Sequence, residues 1–330
     1  MMKKILAIFV VLTGLYIVGP KPETPVLSPT ASWTDIPDSV SQMDSYIASK
    51  EAKTVLKPGN EARIIWADAT QPKKTKIVFM YVHGFSASPM EGDPLHRELA
   101  KKFGANLLLA RVAGHGVPDS DSTFAKVTAD EFYQSVENYY AIAKKLGDEV
   151  VVLGTSFGGA MSLVLAANHP EIKALMLYGP CIAIKDPNAT LLDNPWGLQM
   201  AHWITGSDYR DIPVMAPGHA ENWSLHYRLE GVVAIQNFLT HTMKKEEFEK
   251  VKIPVFMGYY YKDEAHQDNV VSVDAMKKMY SELGTPNALK RAEAFPNSGN
   301  HVITSNLLGK LTDKPIASSE AFLRNVVKLH

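Results

Sequence analysis

Val150-Val151-Val152-Leu153-Gly154-Thr155-Ser156-Phe157-Gly158-Gly159-Ala160 is the stretch from which the rest of the chain can be read. Four consecutive apolar residues, three of them β-branched, are the pattern of a buried strand. The run stops at Gly154-Thr155-Ser156-Phe157-Gly158, and a helical pattern follows through Met161, Leu163, Val164, Leu165, Ala166 and Ala167. Strand, G-x-S-x-G and helix in that order describe a sharp turn that lifts a serine clear of a sheet edge. The turn needs Gly154 and Gly158, because larger side chains two residues either side of Ser156 would collide across it. It also aims the Phe157 N–H at the start of the helix, where negative charge is favoured.

Outward from that turn, strand and helix patterns alternate. Ala62–Trp66, Thr75–Val82, Ala105–Val112, Ile172–Tyr178, Ile253–Tyr261 and Leu289–Phe295 read as strands. Residues 37–53, 94–103, 129–146 and 319–328 read as helices. The alternation predicts an α/β, doubly wound, mostly parallel sheet. One interval breaks the rhythm: between Pro180 and Val251 lie about seventy residues where a short crossover would suffice. This insertion, about 181–250, carries Trp196, Met200, Trp203, Tyr209, Met215, Trp223 and Tyr227, and is expected to form a helical lid over the carboxyl ends of the strands.

Composition narrows the function. The chain has 330 residues and a net charge of −1, so no basic field points to nucleic acid. Its single cysteine, Cys181, can form no internal disulfide and reads as a small buried residue. No H-E-x-x-H, P-loop or G-x-G-x-x-G pattern is present, so neither a metal nor an organic cofactor is expected. The first residues, Met1-Met2-Lys3-Lys4 followed by the apolar run Ile5–Val18, read as an export signal or a retained N-terminal membrane anchor over 1–19. Residues 20–31, rich in proline, are expected to be a linker, and 32–330 the folded domain. The expected location is therefore the periplasmic or extracellular side.

Four motifs in this order resemble the α/β-hydrolases, in the bacterial lipase/esterase-like branch also labelled serine aminopeptidase S33-like. They are His83-Gly84-Phe85, Gly114-His115-Gly116, the turn at Ser156, and Gly299-Asn300-His301. The resemblance spans roughly Ala62 to the C-terminus and implies a Ser, acid, His order along the chain. It makes Ser156 the nucleophile and His301 the base, with His83 and His115 structural. Two aspartates compete for the acid after the strand Ile253–Tyr261. Asp263 fits the usual strand length, whereas Asp268 begins an Asp-x-Val-Val turn that leads into a helix with Ser272 at its cap. Asp268 is favoured and Asp263 is the alternative. The backbone N–H groups of Phe157 and, by resemblance, Phe85 form the oxyanion hole. The expected reaction is acyl transfer from a small-molecule ester with an apolar acyl group, as in a carboxylesterase or monoacylglycerol-type lipase. A peptidase is an alternative and would need acidic groups such as Asp193, Asp208, Asp211 or Glu221 to bind an amine; a non-catalytic binding protein is another.

Overall fold

The computed structural model describes residues 13–310 and 313–330. Seven strands form one sheet in the order β1-β3-β2-β4-β5-β8-β9. They are β1 (Arg63–Ile65), β2 (Thr75–Val82), β3 (Asn106–Leu109), β4 (Gly147–Thr155), β5 (Ala174–Tyr178), β8 (Val255–Tyr259) and β9 (Lys290–Ala294). Only β1 runs antiparallel, pairing Arg63 with Leu109; every other pairing is parallel. The doubly wound, mostly parallel sheet expected from the alternation is thus the observed one. The central strands are buried on both faces, which explains their unbroken apolar runs.

The period-two alternation of β2 divides the core. Val78, Met80 and Val82 face one layer with helices α1 (Met43–Glu51), α3 (Ala129–Leu146) and α4 (Phe157–Asn168). Ile77, Phe79 and Tyr81 face the other with α2 (Leu95–Lys102) and α10 (Asp313–Asn325). The expected bounds of α3 match residue for residue, and its start carries a complete capping box: Thr128 accepts from the Glu131 N–H while Glu131 reaches back to Thr128. The last helix begins six residues earlier than its expected start at Ser319 and ends at Asn325. Pro315 fits in that first turn, because there proline lacks only a donor that has no helical partner anyway.

The insertion between β5 and β8 is less purely helical than expected. It contains α5 (Gly197–Thr205), α6 (His219–Asn222), α7 (Leu229–Thr242) and α8 (Lys245–Phe248), and also a short antiparallel ladder of β6 (Tyr209–Asp211) with β7 (His226–Arg228). Its second half is bonded to the body. Lys57 Nζ donates to the Ala220 and Trp223 carbonyls and pairs with Asp119, whose other oxygen accepts from the Leu225 N–H. Phe238 of α7 is fully buried in the main core. The first half is open, with Trp203 85% and Ile204 72% exposed. After β8 the chain forms α9 (Val273–Glu282), capped by Ser272 accepting the Ala275 N–H.

Residues 13–17 are helical, and the proline-rich stretch after them lies extended along the body. The Trp196 indole N–H donates to the Leu15 carbonyl and its backbone N–H to the Pro20 carbonyl. Asn237 donates to the Glu23 carbonyl, and Asp130 accepts from the Val26 N–H. Among the described residues no helix is long and apolar enough to cross a membrane. Most of the run read as a signal or anchor lies outside the described residues.

Candidate active site

The strand-to-helix turn has the strain its sequence implied. Ser156 adopts φ 53°, ψ −122°, a region non-glycine residues rarely enter. Neighbouring backbone holds it there: the Ser156 N–H donates to the Tyr178 carbonyl and the Ser156 carbonyl accepts from the Cys181 N–H. A Cβ on Gly154 would meet the Gly158 carbonyl at 2.7 Å, the collision across the turn that was expected. Gly158 has a different reason. Its Cβ would lie 2.1 Å from the Val82 carbonyl oxygen, so this glycine lets α4 press against the end of β2. The start of α4 and the turn after β2 are brought together by that contact.

The turn after β2 is held on either side of Phe85. The His115 Nε2 accepts the Ser86 N–H at 3.0 Å, so its Nδ1 carries the proton and donates to the Ala113 carbonyl. The same logic fixes His83: Nε2 accepts the Val112 N–H at 3.0 Å and Nδ1–H donates to the Gly84 carbonyl at 2.8 Å. Burial pushes the His83 pKa down to about 4 and that of His115 well below the usual value, so both rings are neutral props. The N–H of Gly84 donates to the carboxylate of Glu91 at 2.6 Å. Between these ties, the Phe85 N–H donates to no described group, and neither does the Phe157 N–H at the start of α4.

His301 follows β9 in a loop bent by Ser298, whose hydroxyl donates to the Phe295 carbonyl. Its Nδ1 donates to Asp268 Oδ2 at 2.5 Å. Asp268 is fully buried, and its other oxygen accepts the N–H groups of Val270 and Val271 at 2.9 and 3.0 Å. The Asp-x-Val-Val turn therefore clamps the carboxylate. Burial works to raise the Asp268 pKa, but the His301 charge and these hydrogen bonds leave it lowered. Burial likewise works to lower the His301 pKa; Asp268, with a further contribution from the charge of Glu91, leaves it raised. Asp263 points elsewhere: exposed, it pairs with His266 three residues on and accepts that residue's N–H. The imidazole edge of His301 lies against Gly179, directly after Tyr178, whose carbonyl holds the Ser156 N–H. His301 Nε2 is buried and has no hydrogen-bond partner among the described residues, so its contact to the Ser156 hydroxyl is not closed in this structure. Such contacts commonly tighten only when substrate is bound.

The surroundings are aromatic. The Phe85 ring packs 4.6 Å from Phe124 and edge-on to Tyr227 at 5.2 Å. Phe157 meets Phe132 and Phe238, each at 5.3 Å. Of the insertion's aromatic and methionine residues, Tyr227 thus reaches the Phe85 ring, and Trp223 packs with Ala87 and Val302. Trp203 and Met215 face solvent. Cys181 is buried and its thiol is pushed up to about 12 by burial and then by the charge of Asp268, which leaves it unreactive. Among the described residues no group of His, Cys, Asp and Glu side chains could hold a metal ion. Glu91 was not singled out from sequence; a lone glutamate in a Ser-Pro-rich turn carries no periodic or motif signal.

Comparison with known proteins places this arrangement. A thermostable monoacylglycerol lipase of Bacillus sp. (strain H-257) is 36% identical over 105 residues, 32% of this chain and 41% of that protein. A putative esterase/lipase 2 of Mycoplasma genitalium is 31% identical over 113 residues, 34% of this chain and 41% of that one. These alignments thus span less than half of either relative. Among solved structures, one from work on LipS and LipT, two metagenome-derived lipolytic enzymes, superposes with a TM-score of 0.64 at 22% identity, covering 82% of this chain and 99% of that chain. The monoacylglycerol lipase of Paleococcus ferrophilus gives 0.59 at 14% identity, covering 82% and 98%. The soluble variant of monoglyceride lipase from Saccharomyces cerevisiae gives 0.60 at 13%, covering 80% and 90%. At these identities the superpositions establish the α/β-hydrolase fold alone. The sequence pattern of one family extends further, matching residues 73–297 from the start of β2 into the loop that carries His301, and by that match the chain belongs to the serine aminopeptidase S33 family of α/β-hydrolases.

Proposed function

We propose that the protein is a serine hydrolase that cleaves carboxylic esters with an apolar acyl group by two-step acyl transfer. The observation that carries this reading is the buried Asp268–His301 bond, which leaves His301 Nε2 as a free acceptor at the sheet edge where Ser156 is strained outward. In this scheme His301 takes the Ser156 proton as Oγ attacks the ester carbonyl. Asp268 keeps the proton of Nδ1 in place and stabilises the imidazolium without being protonated itself. The oxyanion is received by the unpaired N–H groups of Phe85 and Phe157, with the helix start behind the second. His301 then protonates the leaving alcohol, and water repeats the sequence to release the acid. The aromatic surroundings favour an apolar acyl group, in keeping with relatives named as lipases.

A peptidase reading is less well supported. Of the acidic groups that could hold a substrate amine, Asp193 pairs with His241, Asp211 with His226, and Asp208 with Arg228 and His202, which leaves Glu221, exposed and without an ion pair among the described residues. The basic start and apolar run of residues 1–19 make export the reading of choice for location, by cleaved signal or by anchor. The test of function is hydrolysis of p-nitrophenyl esters from acetate to palmitate by the full chain, beside Ser156→Ala and an aminoacyl p-nitroanilide series. Ester turnover lost in Ser156→Ala is expected, with a preference beyond acetate. Turnover of anilides alone would favour the peptidase. No turnover and no labelling by a fluorophosphonate would favour a binding protein.

A further inference from the structure

Glu91 lies in a 3-10 turn (Pro89–Gly92) whose start is capped by Ser88 and which faces the two loops of the candidate site. It is 2% exposed and has no ion-pair partner among the described residues. One carboxylate oxygen accepts the Gly84 N–H at 2.6 Å and the Tyr81 hydroxyl at 3.2 Å. The other oxygen is 2.7 Å from the point a Gly84 Cβ would occupy, and that point is 2.9 Å from Ser156 Cβ. Carboxylate, oxyanion turn and nucleophile therefore meet there. The Glu91 carbonyl accepts the hydroxyl of Thr304, three residues beyond His301. One residue ties the peptide before Phe85 to the loop of the base. Burying a carboxyl is costly unless it is hydrogen-bonded, and here the Gly84 N–H and the Tyr81 hydroxyl supply those bonds.

We infer that Glu91 is a positioning residue for the reaction: through Gly84 it aims the Phe85 N–H, and through its charge it tunes His301. The inference rests on the serine hydrolase reading above. The titratable groups that face Glu91 are Tyr81 and His301, with His96 edge-on to Tyr81 at 4.9 Å and held neutral by burial, its pKa pushed down to about 4. Burial raises the Glu91 carboxyl to about 7, against the Gly84 N–H, the His301 charge and Tyr81. Across neutral pH its charge therefore varies beside the base. Glutamine at 91 keeps an acceptor for Gly84 but no charge; alanine keeps neither.

The test is the steady-state hydrolysis of p-nitrophenyl butyrate by the full chain, E91Q and E91A across pH, with thermal unfolding of each. For E91A, kcat is expected to fall about 100-fold with KM changed little, the size of losing one oxyanion donor. For E91Q, kcat is expected within about fivefold of the parent, because Gly84 keeps a hydrogen bond of ordinary strength. Its acid limb of kcat/KM should move to lower pH, since the charge that helps raise the His301 pKa is gone. E91A turning over within twofold of the parent, or an unmoved acid limb in E91Q, would overturn the inference while leaving the hydrolase reading intact. If E91A does not fold, the E91Q limb decides. A parent chain that neither turns over esters nor is labelled by a fluorophosphonate would overturn both.

Discussion

Replacing Asp268 by asparagine should cost about 10,000-fold in kcat, and the size follows from which way the amide must face. One Asp268 oxygen is held by the Val270 and Val271 N–H groups and the other by His301. Asparagine must keep its oxygen toward the two backbone donors, because turning it round leaves both unsatisfied, at a combined cost of about 2–6 kcal/mol. Its NH2 group then faces His301 Nδ1, which has to accept. The ring is left with its proton on Nε2, where it cannot take one from Ser156. Reaching the productive tautomer at a mid-range cost of about 4 kcal/mol accounts for about three orders of magnitude. Loss of the charge opposite the imidazolium adds about another tenfold, the worth of one pKa unit. The assay is kcat for p-nitrophenyl butyrate, with urea unfolding as a check that the variant is folded. Asp263→Asn in the same assay should stay within about twofold, as expected of an exposed carboxylate bonded only to its own turn. D268N keeping a tenth of the parent activity, or D263N matching its loss, would refute this reasoning.

Three further outcomes follow. In the proposed mechanism His301 must be neutral to act and its pKa is raised, so the acid limb of kcat/KM should lie above the ordinary histidine value of about 6.5; a limb below pH 6 would contradict it. Stability should fall as the pH drops from about 6.5 toward 4, because His83, His96 and His115 have depressed pKa values and the unfolded chain binds protons that the folded one refuses. Glu91, raised to about 7, works with the opposite sign and cancels one of the three. The net loss is up to about 3 kcal/mol per pH unit, read from urea unfolding at pH 6.5 and 4.5; equal stability at both would refute it. Gly158→Ala should cost about 3 kcal/mol of stability and most of the activity, since its Cβ meets strand backbone that cannot move aside; a folded, fully active G158A would show that α4 can retreat from β2 freely.

Much of the frame could be read from the chain because local and long-range signals agree there. Thr75–Val82 is a strand with no competing pattern, and Thr128 with Glu131 marks the start of α3 to the residue. Strand ends were read too long, at Ala105–Val112 against Asn106–Leu109, because apolar residues continue past the last ladder bond. Pattern could not reveal the β6–β7 ladder, whose three-residue strands are too short to show a period. The Asp-x-Val-Val turn favoured Asp268 over Asp263 but left both open, since both follow the same strand. Only packing puts one against His301 and the other in water. Glu91 was hidden for a related reason: its partners are a backbone N–H, a tyrosine and a threonine, none of which has a fixed spacing from it.

The strap formed by residues 15–26 has a mechanical consequence. Tension applied at its N-terminal end reaches Trp196 first, at two points, before it reaches the bonds of Glu23 to α7 and of Val26 to α3. Trp196 caps the exposed helix of the insertion, which has few ties of its own to the body. A load on the leading segment is therefore delivered to the exposed helix of the insertion before it reaches the helices packed on the sheet.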